Sequence, residues 1–135
     1  MHISIKNRKP LTSKDRERYV HATRENAGMT AWTVQKSSFG QNDILGCIDT
    51  ISYKPRIIYL DQTTSISNVA PRQRKIENSL KAPPATSSIV ISVHGIDGYK
   101  EKFGIDWIPV ITRHVQCVWL PDGSWTRTEK EIEKH

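Results

Sequence analysis

The stretch that most constrains the fold is residues 107–120, WIPVITRHVQCVWL, an apolar run that carries Arg113, His114 and Gln116 near its middle. A strand that stays hydrophobic on both sides belongs inside a sheet. Imidazole and amide groups placed there need hydrogen-bond partners or a functional role. The run therefore predicts a core strand that carries one polar patch.

The composition indicates one folded domain over residues 1–135. The apolar fraction is 36%, the charged fraction is 25%, and four Trp supply large side chains for a core. These values are typical of a folded, soluble domain rather than of a disordered chain. A chain of this length is expected to form one core.

The charge balance favours an anionic partner. Lys and Arg number 20 against 14 Asp and Glu, which gives a formal net charge of +6. Cys47 and Cys117 lie far apart, outside any CxxC pattern, and no apolar run is long enough to span a bilayer. We expect a cytoplasmic protein with reduced thiols, without a membrane association and without a secretory leader.

The order of elements predicts an α+β fold with a mostly antiparallel sheet and two short basic helices. Thr12 and Ser13 are N-cap residues, and the following helix should end near Gly28. The predicted elements are helices at 13–26 and 72–81, strands at 31–37, 44–53, 57–60, 89–93, 107–120 and 125–128, a basic N-terminal arm or edge strand at 1–10, loops at 62–70 and 94–98, a helical turn or loop at 99–103, and a charged tail at 129–135.

Alternation along the strand at 107–120 separates its side chains into two faces. His114 and Gln116 fall on one face, and Trp107, Ile111 and Arg113 fall on the other. His94 ends the preceding predicted strand, so it can approach His114 if the two strands are neighbours. The sequence thus predicts a polar patch on an otherwise apolar sheet.

The triplet His114-Val-Gln116 resembles the second motif of the HUH-type rolling-circle replication nickases. The resemblance implies a divalent metal that positions the scissile phosphate for a nucleophilic Tyr. Tyr99 and Lys102 are similar to the Tyr and Lys of that family's third motif, but they precede His114, whereas in the replication initiators the Tyr follows. The alternative is a His and a Gln that are satisfied by structural hydrogen bonds.

A second catalytic hypothesis is a metal-independent ribonuclease. Histidines would act as general acid and base around attack by a 2′-hydroxyl, and an arginine would stabilise the developing charge. The available groups are His94, His114, Arg113 and Tyr99. The chain contains no HExxH spacing, phosphate-binding Gly-rich loop or Cys-rich zinc pattern.

The leading hypothesis is a nucleic-acid-binding domain that contacts backbone phosphates and needs no cofactor, a divalent metal being required only by a nuclease. Three local groups carry the basic residues: Lys6, Arg8 and Lys9; Lys14, Arg16, Arg18 and Arg24; and Arg72, Arg74, Lys75 and Lys81. Arginine and lysine both bind phosphate. DNA and RNA remain alternatives, as do a mobile-element or phage accessory protein and a protein-interaction or inhibitor module.

Overall fold

The computed structural model describes residues 7–34 and 44–132. The elements are β1 (Arg8–Pro10), α1 (Ser13–Asn26), β2 (Thr30–Thr33), β3 (Thr50–Lys54), β4 (Ile57–Thr64), a 3-10 turn (Ile66–Asn68), α2 (Val69–Leu80), β5 (Ile89–Phe103), β6 (Asp106–Trp119) and β7 (Trp125–Glu131).

One mixed sheet of seven strands contains every described strand. The order is β2-β3-β4-β5-β6-β7, and β1 pairs with β5. The predicted α+β fold is confirmed. The central pair, β4 and β5, is parallel, while the other strand pairings in the described structure are antiparallel. A parallel pair requires a crossover connection, and α2 supplies it.

Helix α1 covers the predicted residues 13–26. Its start is fixed by a capping box, in which the Asp15 backbone N–H donates to Thr12 Oγ1 at 3.1 Å and the Thr12 N–H donates to Asp15 Oδ2 at 2.8 Å. Beyond the helix, Gly28 adopts a φ of +83°, a conformation that glycine reaches without strain. The cap and stop signals in the sequence therefore set both ends of α1.

The two helices pack on opposite faces of the sheet. On the face that we call the α2 face, Ile76 of α2 packs with Ile91 and Val93 of β5. On the other, the α1 face, Val20 of α1 packs with Ile96. Burying each such aliphatic side chain contributes about 1.5–3 kcal/mol. Any β5 side chain that points toward α1 therefore lies in the same layer as Ile96.

The segment 94–103 is continuous strand, so the predicted loop and helical turn there are wrong. Two glycines suggested a turn, but they serve close packing. A Cβ at Gly95 would overlap the Val69 side chain, and a Cβ at Gly98 would overlap the carbonyl oxygen of Val110. Both glycines thus permit close approach within a long strand.

Other element boundaries also differ from the sequence prediction. β4 continues to Thr64 and the 3-10 turn and α2 follow, so the predicted loop at 62–70 is wrong. The predicted strand at 44–53 contains a turn closed by an Ile44–Ile48 bridge before β3 begins. β7 extends into the predicted tail as far as Glu131. The predictions for residues 1–6, 35–43 and 133–135 lie outside the described residues.

The β5–β6 hairpin extends beyond its neighbours. The pairing of β4 with β5 ends at Gly95, and that of β7 with β6 ends at Arg113. We call residues 98–111 the hairpin extension; β1 is the strand that pairs with it. The register shifts between Asp97 and Gly98, which pair with Arg113 and Ile111, so one extra residue of β6 enters there.

That bulge reverses the predicted side of Trp107. Alternation placed Trp107 and Ile111 with Arg113, but Ile111 packs against the core cluster under α1 and Trp107 pairs with Lys102. Trp107 therefore lies on the α1 face, the same face as His114.

Among the described residues, no helix is long and apolar enough to cross a membrane.

Candidate functional site

Three side chains form a hydrogen-bonded chain under α1. His94 Nε2 lies 2.7 Å from Asp61 Oδ1, and His94 Nδ1 lies 2.8 Å from His114 Nε2. Asp61 is 0% exposed and His94 is 2% exposed, whereas His114 is half-buried. The chain thus runs from a fully buried carboxylate to an imidazole near the surface.

Three neighbouring strands position these groups. Asp61 of β4 pairs with Ser92, so His94 is its diagonal neighbour two residues further along the parallel strand β5. His114 of β6 pairs with Ile96 and is again diagonal to His94. Diagonal neighbours on one sheet face lie within reach of long side chains. The expected approach of His94 to His114 is confirmed.

Arg24 of α1 closes the buried end of the chain. Its Nε and Nη2 donate to the two carboxylate oxygens of Asp61, each at 2.9 Å. Its guanidinium also lies over the Tyr59 ring, 4.2 Å from the centroid. Burial opposes ionisation of Asp61, but His94 and Arg24 outweigh it and lower the pKa of Asp61. Asp61 is therefore a carboxylate.

The hydrogen-bond pattern assigns the direction of the chain. A carboxylate accepts only, so Nε2 of His94 donates to Asp61. With one ring proton on each imidazole, Nδ1 of His94 then accepts from the Nε2–H of His114. His114 keeps its second ring nitrogen, Nδ1, without a hydrogen-bond partner among the described residues. When that atom takes up a proton, Asp61 can stabilise the positive charge of the imidazolium through His94.

The surroundings of His114 favour its neutral form. Burial, followed by the electrostatic effects of His94, Arg24 and Lys130, lowers its pKa from 6.5 to about 4 against the opposing effect of Asp61. The Tyr19 ring meets the imidazole edge-on, with centroids 5.5 Å apart. Burial also raises the pKa of Tyr19. At neutral pH the surface end of the chain is thus an uncharged imidazole beside a protonated phenol.

The other predicted catalytic residues are not all brought to this chain. Gln116 shares its face, but its amide donates to Ser92 Oγ at 3.4 Å. Tyr99 lies on a strand rather than a helix and points to the α2 face, where Arg8 covers its ring. Arg113 also points away from α1 and binds Glu129. The structure therefore joins His94 and His114 and separates Tyr99 and Arg113 from them.

Predicted phosphate-binding residues of β1 and of α1 lie on the side of the sheet that α1 covers. Lys9 pairs with Lys100 across β1 and β5, and the Nζ atoms of Lys9 and Lys102 lie 4.3 and 5.9 Å from the centroid of the Trp107 ring. Lys100 Nζ lies 3.5 Å from Asp15 Oδ2 of α1, which links the hairpin extension to the first turn of the helix. We call the resulting surface the basic strip: Lys9, Lys14, Arg16, Arg18, Lys100 and Lys102.

The remaining predicted basic residues lie elsewhere. Arg24 is buried against Asp61. Arg8 lies on the far side of the hairpin extension, over Tyr99. Lys6 falls outside the described residues. The third basic group belongs to α2 or to its C-cap and lies on the opposite side of the sheet: Arg72, Arg74, Lys75 and Lys81.

A cavity of about 560 Å³ lies between α1 and β2. Its lining combines basic, acidic and aromatic side chains, namely Lys14, Glu17, Arg18, His21 and Trp32. His21 Nδ1 is anchored to Thr33 Oγ1 at 2.8 Å. Lys14 and Arg18, which line this cavity, also belong to the basic strip.

Sequence reasoning missed Tyr19 and Asp61, which is the partner of Arg24. A signal for Asp61 exists: it directly follows the apolar run at 57–60, just as His94 follows the run at 89–93. Parallel strands place their carboxyl ends at one edge, so two polar groups in these positions meet. This signal identifies Asp61 only when β4 and β5 are known to be parallel neighbours.

Comparisons with models of protein families, with curated proteins and with solved structures gave no match to this chain. Within residues 7–34 and 44–132, no group of three or more His, Cys, Asp or Glu side chains is arranged to hold a metal ion. In the Asp61–His94–His114 chain, both nitrogens of His94 contact other members of the chain.

Proposed function

We propose that the protein binds nucleic acid through backbone phosphates at the basic strip. The observation that carries the proposal is the position of Lys9 and Lys102 over the Trp107 ring, with Lys100 paired to Lys9, on the side of the sheet where α1 lies. Clustered cations attract a polyanion, and an indole among them offers a surface for a base or sugar. The net charge of +6 acts in the same direction.

Most members of the strip are accessible to a ligand. Lys9, Lys14 and Arg18 are exposed, and Lys102 is exposed near the end of β5. Lys100 is half-buried and is partly neutralised by Asp15. Arg16 is held by the carbonyl oxygen of Ile96, to which its Nε donates at 2.8 Å. The exposed lysines are therefore the expected main contributors to phosphate binding.

A salt-dependent binding titration tests the proposal. Labelled duplex DNA, single-stranded DNA and RNA of one length are titrated by fluorescence anisotropy over a range of salt concentrations. The triple variant Lys9→Ala/Lys100→Ala/Lys102→Ala should bind more weakly. For a duplex, the slope of log binding constant against log salt concentration should become less steep by roughly 2 to 3, because each phosphate contact contributes about 0.9.

The chain offers a matched control of equal charge. Arg72→Ala/Arg74→Ala/Lys75→Ala removes the same number of cations from the opposite side of the sheet, and the wild-type slope should be kept. The absence of binding to all three nucleic acids at low salt would contradict the proposal. Equal losses in the two triple variants would also contradict it, since net charge rather than the strip would then explain binding.

A second candidate function is cleavage of a phosphodiester bond at His114. The Asp61–His94–His114 chain favours it, because the chain leaves Nδ1 of a neutral imidazole as an acceptor at its outer end. Lys130, the cross-strand neighbour of His114, supplies a positive charge beside it. A general base next to a cation suits attack on a phosphate.

In RNA the step needs only the substrate and water. The 2′-hydroxyl proton goes to His114 Nδ1, the O2′–P bond forms, and the P–O5′ bond breaks. The leaving 5′-oxygen takes a proton from water, the hydroxide so formed takes the proton from His114 Nδ1, and the products are a 2′,3′-cyclic phosphate and a 5′-hydroxyl end. Asp61 and His94 would stabilise the imidazolium that forms.

End-labelled RNA and DNA distinguish the two candidate functions. Cleavage of RNA to a cyclic phosphate, in EDTA or with Mn²⁺, should be lost in His114→Ala. It should be kept in His21→Ala, which alters a histidine outside the hydrogen-bonded series of Asp61, His94 and His114. Unchanged cleavage in His114→Ala would show that His114 is not the general base. Binding without turnover of any substrate would leave the protein as a binding domain alone.

A further inference from the structure

The tip of the hairpin extension exposes large apolar side chains. Phe103 pairs with Asp106, so Gly104 and Ile105 form the connecting loop, and Gly104 has a φ of +64°. Ile105 is 92% exposed, Phe103 is 55% exposed and Ile108 is 45% exposed. Hairpin loops normally carry polar residues. An apolar tip of this kind indicates a contact with another molecule.

Basic side chains flank this tip on both faces of the hairpin extension. Lys100 and Lys102 of β5 lie on the α1 face, together with Lys9 of β1, while Arg8 lies on the opposite face over Tyr99. These four cations outnumber the two carboxylates of the extension, Glu101 and Asp106. An apolar tip surrounded by cations fits a partner that is anionic outside and apolar within.

The last pairs of the hairpin form a narrow ribbon. β1 begins at Arg8, opposite Glu101, and the described structure contains no further strand beside the pairs Lys102–Trp107 and Phe103–Asp106. A two-stranded β-ribbon fits a groove of duplex DNA. Apolar side chains at such a position can enter between base steps and kink the duplex.

We infer that the tip of the hairpin extension inserts Phe103 and Ile105 between base pairs of duplex DNA, while the lysines beside it hold the flanking phosphates. The inference rests on the proposed nucleic-acid binding and names its substrate class. Unstacking is offset by burial of the two exposed side chains and by the additional contacts that a bent duplex makes with the strip. Binding should therefore bend the DNA.

The experiment uses the full chain and a duplex with a fluorescent donor and acceptor at its two ends. The wild type should raise the energy transfer, which reports the shorter end-to-end distance of a bent duplex. The variant Phe103→Ser/Ile105→Ser should lose the bend and bind about tenfold more weakly or worse, because it loses apolar burial. Its salt slope should stay at the wild-type value, because the phosphate contacts remain.

Matched variants separate this inference from the proposed function. Ile58→Ser changes a side chain of β4 that is 41% exposed, and it should bind and bend as the wild type does. If Phe103→Ser/Ile105→Ser binds and bends like the wild type, the inserted tip is wrong while phosphate binding stands. If the wild type binds no nucleic acid, the proposed function fails and the inference fails with it.

Two further measurements cover other partners of the tip. Sedimentation with phosphatidylserine vesicles would overturn the inference if the wild type binds them through the tip and leaves duplex DNA straight. Analytical ultracentrifugation without DNA would overturn it if Phe103→Ser/Ile105→Ser converts a dimer to a monomer. A wild type that is monomeric, bends DNA and depends on the tip for the bend supports it.

Discussion

Nδ1 of His94 lies 2.8 Å from Nε2 of His114, although the two histidines belong to different strands and are not paired in register. The contact exists because both side chains point toward α1 and are diagonal neighbours across β5 and β6. Asp61 binds the other nitrogen of His94. A single diagonal contact thus extends a buried ion pair to the protein surface.

The pair Arg24–Asp61 should dominate the stability of this layer. Arg24→Met leaves a buried carboxylate without its bidentate partner, and we expect a loss of about 3–5 kcal/mol in the free energy of unfolding. Asp61→Asn should also destabilise, because it removes the charge that Arg24 and His94 bind. Urea unfolding measures both losses.

The double variant Arg24→Met/Asp61→Asn provides the control for that prediction. Since each single change leaves the other group unpaired, the double variant should lose less stability than the sum of the two single losses. Additive losses would mean that the two side chains stabilise the fold independently, contrary to the bidentate contact.

The stability of the protein should depend on pH through His114. Its pKa is lowered to about 4 in the fold, below the ordinary value of 6.5, so the unfolded chain binds more protons between those two values. Stability therefore rises with pH across this window and is lost on acidification, by at most about 1.4 kcal/mol per pH unit for one group. The groups facing the imidazole, namely Tyr19, His94, Arg24, Asp61 and Lys130, remain in place when His114 is replaced.

Urea midpoints of the wild type and of His114→Gln, measured from pH 7 to pH 4.5, check this dependence. Glutamine does not titrate, so the variant should show a shallower decline toward acid than the wild type. Identical declines in the two proteins would show that the imidazole of His114 has an ordinary pKa in the fold.

The parts of the fold that depend on neighbouring residues were predictable from the sequence. Thr12 and Gly28 set the ends of α1, and the Asp122–Gly123 pair, which lies between the strands predicted at 107–120 and 125–128, forms the turn of the β6–β7 hairpin, in which Gly123 has a φ of +90°. The approach of His94 to His114 followed from alternation within two strands. Each of these features is encoded within one turn or one strand pair.

The parts that depend on distant residues were not predictable. Gly95 and Gly98 resemble turn residues unless the packing of Val69 and Val110 against them is known. The bulge beside Gly98 moved Trp107 to the α1 face, which simple alternation cannot show. Asp61 meets His94 only through the parallel pairing of β4 and β5, which the crossover helix creates.

Gly98 should tolerate no side chain. A Cβ there would overlap the carbonyl oxygen of Val110, which is backbone and cannot rotate away, so Gly98→Ala should cost about 3 kcal/mol or more. In Gly123→Ala, by contrast, only the positive φ is unfavourable, since nothing lies within 4 Å of the added Cβ, and the cost should be about 1–2 kcal/mol. Thermal unfolding of both variants tests the order, and an equal loss in the two would contradict the close approach at the bulge.

The exposed tip should contribute nothing to the folded core. Ile76 of α2 is 0% exposed and packs between Ile91 and the rest of the α2-face cluster, so Ile76→Ala should lose about 2–5 kcal/mol through the cavity it leaves. Ile105→Ser changes a side chain that is 92% exposed and should alter the free energy of unfolding by less than about 0.5 kcal/mol. Urea titrations of both variants give the comparison directly. A large loss in Ile105→Ser would show that the tip packs within its own chain, and its apolar side chains would then need no external partner.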